Sequence, residues 1–110
     1  MAMADTYAVI EPARAEIDSL VGPVVIEFGA PWCGHCLAAQ SLLAVAFADH
    51  PHVRHFKIED GRGQLLGRSF RVRLWPTFVF LRHGKETARL VRPTHADAIR
   101  QAFAQIDIVN

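Results

Sequence analysis

The chain has 110 residues, a formal net charge of +1 and an apolar content of 51%. This length predicts a single domain, residues 1–110, and the apolar content is sufficient for one hydrophobic core. The charge is uneven, because residues 1–55 carry six acidic and two basic side chains, whereas residues 56–110 carry five and ten. No basic run interleaved with aromatic residues accompanies that excess, so the sequence predicts no nucleic-acid partner.

The sequence also predicts a cellular location. The first 22 residues hold four acidic side chains and no apolar segment long enough for a secretory signal, and no run approaches a transmembrane span. We therefore expect a cytoplasmic protein that has no membrane partner and, at this size, is a monomer. In that compartment the two cysteines, Cys33 and Cys36, are more often catalytic or metal-binding than part of a disulfide scaffold.

Hydrophobic patterning predicts alternating strands and helices. In chain order, we expect an edge strand at 6–10, a helix at 11–20, a strand at 24–28, a helix that begins near Cys33 and ends before His50, a strand at 52–58, a looser helical segment at 61–70, strands at 78–81 and 87–91, and a helix at 96–106. A strand–helix–strand unit makes the first strands parallel, and a closing hairpin adds antiparallel ones. The predicted fold class is α/β, with a central mixed β-sheet flanked by helices on both faces.

Local signals support several of these elements. The apolar run that ends at Phe28 is interrupted only by Glu27, which is typical of a strand buried on both faces. His83-Gly84-Lys85 is short enough to be the turn of a β-hairpin. Thr94 is a suitable N-cap for the last helix.

The two cysteines form the motif Cys33-Gly34-His35-Cys36, between a predicted strand and a predicted helix. The unpaired N–H groups and the positive dipole end of that helix should lower the pKa of Cys33 and favour its thiolate. Cys36 lies one turn further in and should stay a buried thiol. Cys33 would then attack a substrate disulfide, and Cys36 would attack the mixed disulfide and release the reduced substrate.

The two residues between the cysteines modify this chemistry. Gly34 leaves room for the backbone of a partner, and His35 can direct a hydrogen bond or a positive charge toward the Cys33 sulfur. Stabilising the thiolate stabilises the reduced protein, which makes the disulfide form a better oxidant. We therefore expect a reduction potential above that of a strongly reducing dithiol protein.

A zinc half-site is the alternative interpretation of the cysteine pair. Structural zinc takes four ligands, and the chain supplies two cysteines and six histidines, of which only His50 and His52 show ligand-like spacing. The position of the pair after a buried strand and at the start of a helix favours redox chemistry. We expect no metal and no cofactor.

The motif Trp32-Cys33-Gly34-His35-Cys36 after a buried strand, with Trp75-Pro76-Thr77 downstream, resembles the thioredoxin superfamily. The resemblance covers nearly the whole chain in length and element order. The stretch from Glu27 to Cys36 is most similar to a catalytic domain of protein disulfide isomerase, whereas the overall size is similar to that of a bacterial thioredoxin. The resemblance implies a thioredoxin fold, a buried acid at Glu27 beneath the resolving cysteine, and a cis Pro76 that faces the dithiol.

Glu27 can also be interpreted from its place in an apolar strand. A lone buried carboxyl is unfavourable unless it is neutral or paired, and desolvation should raise its pKa. Such a carboxyl can act as general base and acid for the proton of Cys36. Lys57, the odd polar residue of the neighbouring strand, is either its partner or a side chain that points to solvent at an alternating position.

The predicted substrate surface surrounds the dithiol. Trp32 stands beside the nucleophile and would form a lip of that surface. The bend at Pro76, which precedes Thr77, would expose the backbone of Trp75 to an extended substrate segment that adds as a strand.

Gly29 and Arg92 are among the positions that depart from the pattern of the family. Gly29 stands where an aromatic residue is usual, which predicts looser packing near the dithiol. Arg92 stands where a glycine is usual, on a loop near the active site. There it would alter the substrate surface or bring positive charge near the thiols.

These residues predict a thiol–disulfide oxidoreductase that reduces or exchanges protein disulfides. Its partners would be disulfide-containing proteins and a dithiol or reductase electron donor. Two alternatives stay open. One is a non-catalytic thioredoxin-like binding module that holds a partner around Trp32, Trp75 and Pro76. The other is a periplasmic disulfide oxidase or isomerase, which would need a leader that this sequence lacks.

Overall fold

The computed structural model describes residues 3–108, which form four helices and four strands. The helices are α1 (Arg14–Asp18), α2 (Gly34–Ala48), α3 (Leu65–Ser69) and α4 (Ala96–Ile106). The strands are β1 (Pro23–Gly29), β2 (Arg54–Glu59), β3 (Thr77–Arg82) and β4 (Lys85–Val91), and they form one sheet in the order β2-β1-β3-β4.

Strand β1 has a paired strand on each side. It runs parallel to β2 and antiparallel to β3, and β3 runs antiparallel to β4. In this register Glu27 lies opposite Lys57 on one side and Phe78 on the other. The mixed sheet that was predicted from the order of the elements is therefore confirmed.

Side chains of β1 alternate between two hydrophobic cores, one on each face of the sheet. The core beneath α2 and α4 consists of Val25, Ala39, Leu43, Ala46, Phe47, Val53, Phe78, Phe80, Ile99, Ala102, Phe103 and Ile106. The core beneath α1 and α3 consists of Ile17, Val24, Ile26, Phe28, Ile58, Leu66, Phe70, Val79 and Leu81. Both faces are covered by helices, as the α/β prediction requires.

The edge strand predicted at 6–10 is wrong. In that segment Ala8 donates its N–H to the carbonyl oxygen of Lys57 at 2.8 Å, but no strand is formed there. Val9 and Ile10 are 100% and 83% exposed, so the chain has already left the sheet at the point where a ladder would have to continue. The segment is an irregular arm that lies against β2, and we call residues 3–10 the N-terminal arm.

The other elements follow the predictions with shifted ends. Helix α4 has the predicted bounds, whereas α1 spans only Arg14–Asp18. The residue at the N-cap of α4 is His95 rather than Thr94, and its side chain makes no capping hydrogen bond. No helix within residues 3–108 combines the length and the apolar character needed to cross a membrane.

The β3–β4 turn packs tightly against α1. His83 and Gly84 both have positive φ angles, 51° and 77°, as a two-residue hairpin turn requires. A side chain at Gly84 would overlap the carbonyl oxygen of Asp18, which is backbone and cannot rotate away. Gly84 is therefore required both for its dihedral angles and for the close approach of the two segments.

We predict that Gly84→Ala lowers the free energy of unfolding much more than Gly22→Ala does. Gly22 also has a positive φ, 86°, but a Cβ there would meet nothing within 4 Å. Gly22→Ala should cost about 1–2 kcal/mol for the left-handed backbone, and Gly84→Ala about 1–3 kcal/mol more for the overlap. Urea denaturation of both variants measures the difference. Equal losses would show that the turn can move away from α1.

Candidate active site

Cys33 is the N-cap of α2, as the motif predicted. Its backbone is extended (φ −80°, ψ 117°), and its Sγ accepts a hydrogen bond from the backbone N–H of Cys36 at 3.2 Å. That N–H belongs to the first turn of the helix, where no carbonyl is available to receive it. A sulfur that accepts such a bond at the positive end of a helix is stabilised as an anion.

Cys36 lies deeper than Cys33, and both are free thiols. Their side chains are 2% and 6% exposed, respectively. Burial, and after it the hydrogen bond with Cys33, raises the pKa of Cys36 to about 12. The negative charge of Glu27 acts in the same direction, and a hydrogen bond from the Ala30 backbone opposes it. Cys36 is therefore a thiol at neutral pH, in agreement with the prediction.

Glu27 is buried beneath this pair, and its carboxylate is hydrogen-bonded at both oxygens. The side chains of Glu27 and His55 are both 0% exposed. Glu27 Oε1 lies 2.9 Å from His55 Nε2, and Glu27 Oε2 accepts a hydrogen bond from Gln40 Nε2 at 2.7 Å. These contacts supply the hydrogen bonds that a buried carboxyl group needs in place of water. The buried acid is thus paired, and by partners that the sequence did not indicate.

The N-terminal arm determines which nitrogen of His55 carries the proton. The backbone N–H of Ala4 donates to His55 Nδ1 at 2.9 Å. Because an amide N–H can only donate, Nδ1 is the acceptor, and in the neutral ring the proton is on Nε2. His55 therefore donates from Nε2 to Glu27.

Gln40 connects Glu27 to both the helix and Lys57. Its Nε2 also donates to the carbonyl oxygen of Cys36 at 2.9 Å, and its Oε1 accepts from Lys57 Nζ at 3.1 Å. Lys57 is buried, so the interpretation that it points to solvent is wrong. Within residues 3–108 it makes no ion pair with Glu27 and reaches the carboxylate through Gln40.

The packing at Gly29 is tight, and the looser packing predicted there is wrong. A Cβ at this position would lie 2.6 Å from Cys36 Sγ and 3.1 Å from the hydroxyl oxygen of Tyr7. Tyr7 comes from the N-terminal arm, and Lys57 Nζ lies 5.0 Å from the centre of its ring. The space that an aromatic residue at position 29 would need is therefore already filled by Cys36 and Tyr7.

The two tryptophans form the exposed side of the site. Trp32 is 71% exposed, and its ring packs edge-on against Trp75 with centroids 5.4 Å apart. Trp75 also packs against the buried cluster that contains both cysteines, and its Nε1 donates to Asp60 Oδ2 at 2.8 Å. The indole of Trp75 is thus fixed, while Trp32 is accessible to a partner.

The loop before β3 has the conformation that the resemblance implied. The Trp75–Pro76 peptide bond is cis, and Pro76 is buried. Thr77, which was predicted to bind substrate, is buried as well, and its hydroxyl donates to the carbonyl oxygen of Leu74 at 2.6 Å. The Thr77 side chain therefore holds the loop and does not face the surface.

Gly34 and His35 are exposed, and the space around Gly34 is open. His35 lines a groove of about 340 Å³ with Arg92 and Thr94. Within residues 3–108, His35 makes no hydrogen bond with Cys33, whose sulfur accepts from the Cys36 backbone. Any effect of His35 on the thiolate would therefore come from its charge.

Arg92 is fastened to the loop that carries Trp75. Its φ is 49°, in the left-handed region where glycine is usual, and its backbone N–H donates to the Pro76 carbonyl oxygen at 3.0 Å. Its Nε donates to the carbonyl oxygen of Trp75 at 2.8 Å. Arg92 thus occupies a backbone acceptor beside the dithiol.

Sequence reasoning missed Tyr7, Gln40, His55 and Asp60. Two of these had a signal in the sequence, since His55 is two residues before Lys57 on a strand and Gln40 is four residues after Cys36 on a helix. Tyr7 and Asp60 lie in irregular segments, where periodicity gives no direction for the side chain.

The histidines with ligand-like spacing are not gathered at the cysteines. His50 Nδ1 lies 2.7 Å from Asp107 Oδ2, and His52 is exposed. Within residues 3–108, no group of three or more His, Cys, Asp or Glu side chains is placed to hold a metal ion.

Comparison with known proteins gives the family. The thioredoxin family model matches residues 11–105. The chain belongs to the thioredoxin family. Among solved structures, thioredoxin 2 from Pseudomonas aeruginosa PAO1 in its reduced form is 57% identical, with a TM-score of 0.83 over 94% of this chain and 95% of that chain.

Curated thioredoxins match over shorter stretches. The thioredoxin of Chlamydia trachomatis serovar D is 31% identical over 78 residues, which are 71% of this chain and 76% of that protein. Thioredoxin H-type 1 of Nicotiana tabacum is 37% identical over 68 residues, which are 62% of this chain and 54% of that protein. The chain therefore spans about half of the length of this tobacco relative.

We predict that the reduced protein loses stability as the pH rises from about 9 toward 12. The ordinary pKa of a cysteine, 9.0, applies to Cys36 in the unfolded chain, whereas in the folded protein its pKa is about 12. Between these two pH values the unfolded chain loses the Cys36 proton first, so rising pH favours the unfolded state. The stabilisation of the folded protein that comes from this raised pKa is fully present below pH 9. Urea denaturation of the reduced protein at several pH values measures it. The Cys36→Ala variant is the control because it retains every other titrating group, and identical pH dependence in both proteins would contradict the prediction.

Proposed function

We propose that this thioredoxin-family protein is a cytoplasmic, monomeric thiol–disulfide oxidoreductase that reduces or exchanges disulfides in protein substrates. Members of the family are disulfide oxidoreductases. The observation that carries the proposal is the position of the Cys33 sulfur at the N-cap of α2, where it accepts the Cys36 N–H at 3.2 Å. The proposal makes this sulfur the nucleophile, one helical turn from the second thiol.

The proposed reaction has two exchange steps. The Cys33 thiolate attacks a substrate disulfide, forms a mixed disulfide and releases one substrate thiolate. The Cys36 sulfur, after losing its proton, attacks Cys33, and the second substrate thiolate leaves with the electron pair of the broken bond. The products are a reduced substrate and a Cys33–Cys36 disulfide, which a dithiol or reductase donor must reduce again.

Glu27 is proposed as the acceptor of the Cys36 proton. Its charge is close enough to raise the pKa of Cys36, and Gln40 links its Oε2 to the carbonyl oxygen of Cys36. Lys57 supports this role through Gln40, because it donates to the Gln40 side chain and fixes the orientation of the amide.

The proposed substrate surface combines Trp32, the Trp75 backbone and the groove between His35 and Arg92. Trp32 is exposed beside Cys33, and Trp75 packs on the cluster that contains both sulfurs. An extended substrate segment on this surface would bring its disulfide to Cys33, and its backbone would pair with the loop after displacing the Arg92 side chain from the Trp75 carbonyl oxygen.

We predict that Cys33→Ser abolishes the reduction of insulin disulfides and that Cys36→Ser accumulates a covalent protein–substrate adduct. The first variant lacks the nucleophile, and the second lacks the thiol that resolves the mixed disulfide. Insulin turbidity measures the first effect, and non-reducing electrophoresis with a disulfide peptide measures the second. Residual activity in Cys33→Ser close to that of the unaltered protein would refute the proposed function.

We also predict that Arg92→Gly lowers the KM for an extended disulfide peptide several-fold and leaves kcat almost unchanged. The substitution frees the Trp75 carbonyl oxygen, and it removes a non-glycine residue from the left-handed region, which costs of order 1 kcal/mol. Steady-state kinetics with the peptide measures both constants.

Arg71→Gly is the matched control for Arg92→Gly. Arg71 also has a positive φ, 59°, and is exposed, but within residues 3–108 it makes no side-chain hydrogen bond to Trp75. This variant loses the same charge and the same backbone strain. An equal fall in KM in both variants would show that charge, rather than the Trp75 acceptor, is responsible.

A further inference from the structure

The N-terminal arm places a phenol beside the sulfur of the resolving cysteine. The position of a Cβ at Gly29 lies 2.6 Å from Cys36 Sγ and 3.1 Å from the Tyr7 hydroxyl oxygen, so both groups converge on the space above this glycine. The Tyr7 hydroxyl is therefore placed within reach of the Cys36 sulfur. The function proposed above does not use Tyr7.

The arm is fixed on both sides of Tyr7 by groups of the buried polar network. The backbone N–H of Ala4 donates to His55 at 2.9 Å, and that of Ala8 donates to the carbonyl oxygen of Lys57 at 2.8 Å. Lys57 Nζ also lies 5.0 Å from the centre of the Tyr7 ring, where the cation is attracted to the ring face. Tyr7 is therefore held at Cys36 by three contacts that do not involve its hydroxyl.

When Cys36 is a thiolate it can only accept, so the phenol is the group that would donate a hydrogen bond to it. Burial, followed by the negative charges of Cys36, Glu27 and Cys33, raises the pKa of Tyr7 above its usual range, and the hydrogen bond with Cys36 acts in the same direction. Tyr7 is therefore protonated at neutral pH. The Ala30 backbone makes a further hydrogen bond to Cys36 that favours its thiolate.

We propose that Tyr7 donates a hydrogen bond to Cys36 Sγ that stabilises the Cys36 thiolate and thereby accelerates resolution of the mixed disulfide. The inference deepens the proposed function and rests on it. The step is the attack of the Cys36 thiolate on Cys33 Sγ: the Cys33–Cys36 bond forms, the bond from Cys33 to the substrate breaks, and the substrate thiolate leaves with the electron pair. Tyr7 keeps its proton, and Glu27 receives the one from Cys36.

Loss of the hydrogen bond changes the rate of resolution in two opposing ways. A hydrogen bond to a charged sulfur changes the thiolate population by roughly tenfold or more. Without the hydrogen bond the Cys36 thiolate is more basic, and it becomes about threefold more nucleophilic for each tenfold loss in the thiolate population. Because Cys36 is almost entirely protonated at neutral pH, the loss of thiolate outweighs the gain in nucleophilicity. Loss of the Tyr7 hydroxyl should slow resolution about threefold or more.

The test is Tyr7→Phe, which keeps the ring beneath Lys57 and removes only the hydroxyl. Quench-flow with a disulfide peptide separates formation of the mixed disulfide by Cys33 from its resolution by Cys36. We expect resolution to slow about threefold or more, with formation unchanged. Thr6→Val is the control, because it removes a hydroxyl from an exposed position of the same arm. Equal slowing of both steps, or no slowing, would overturn the inference.

A second measurement distinguishes hydrogen bonding from packing. Tyr7 is the only tyrosine in the sequence, so growth with 3-fluorotyrosine labels this position alone. The fluorinated phenol is more acidic and is a stronger donor, and resolution should become faster than in the unlabelled protein. A purely structural role would leave the rate unchanged. The ¹⁹F resonance should also shift when Cys36 is oxidised.

The two proposals fail in different ways. If the unaltered protein does not reduce the peptide, the proposed function is wrong, and the ¹⁹F shift on chemical oxidation still decides whether Tyr7 contacts Cys36. If the unaltered protein is active and Tyr7→Phe resolves the mixed disulfide at the same rate, the inference alone is wrong.

Discussion

The site depends on one buried carboxylate, that of Glu27. A carboxyl group at 0% exposure is tolerated only when hydrogen-bond donors replace the water it has lost. His55 and Gln40 supply these donors, and each is itself fixed by a further contact, from Ala4 and from Lys57 respectively. Within residues 3–108 no buried side-chain nitrogen or oxygen lacks a partner, so the arm, strand β2 and helix α2 form one connected polar unit.

The two sulfurs have different electrostatic surroundings, because one lies at the start of α2 and the other lies above this polar unit. Cys33 accepts an amide N–H at the end of the helix, which favours negative charge. Cys36 lies further in, above a carboxylate, where burial and that charge favour the thiol. One strand–helix junction thus gives two chemically identical side chains different surroundings, and the two roles proposed for them follow from that difference.

Much of this arrangement could be predicted from the sequence. The mixed sheet, the bounds of α4, the place of Cys33 at a helix start and the burial of Glu27 follow from hydrophobic periodicity and from the motif, because these signals are local. The partners of Glu27 come from the arm, from β2 and from α2, and such convergence depends on the tertiary structure. Tyr7 was missed for the same reason: its segment was predicted to be a strand, and a strand prediction gives no reason to place its side chain at Gly29.

The edge-on contact of Trp32 with Trp75 has an optical consequence. These are the only two tryptophans of the chain, and both lie at the dithiol. The indole emission of the protein therefore originates entirely at the sulfur pair, with no background from elsewhere in the fold. Because a disulfide quenches a neighbouring excited indole more strongly than two thiols do, the brightness of the unlabelled protein reports the redox state of its own active site.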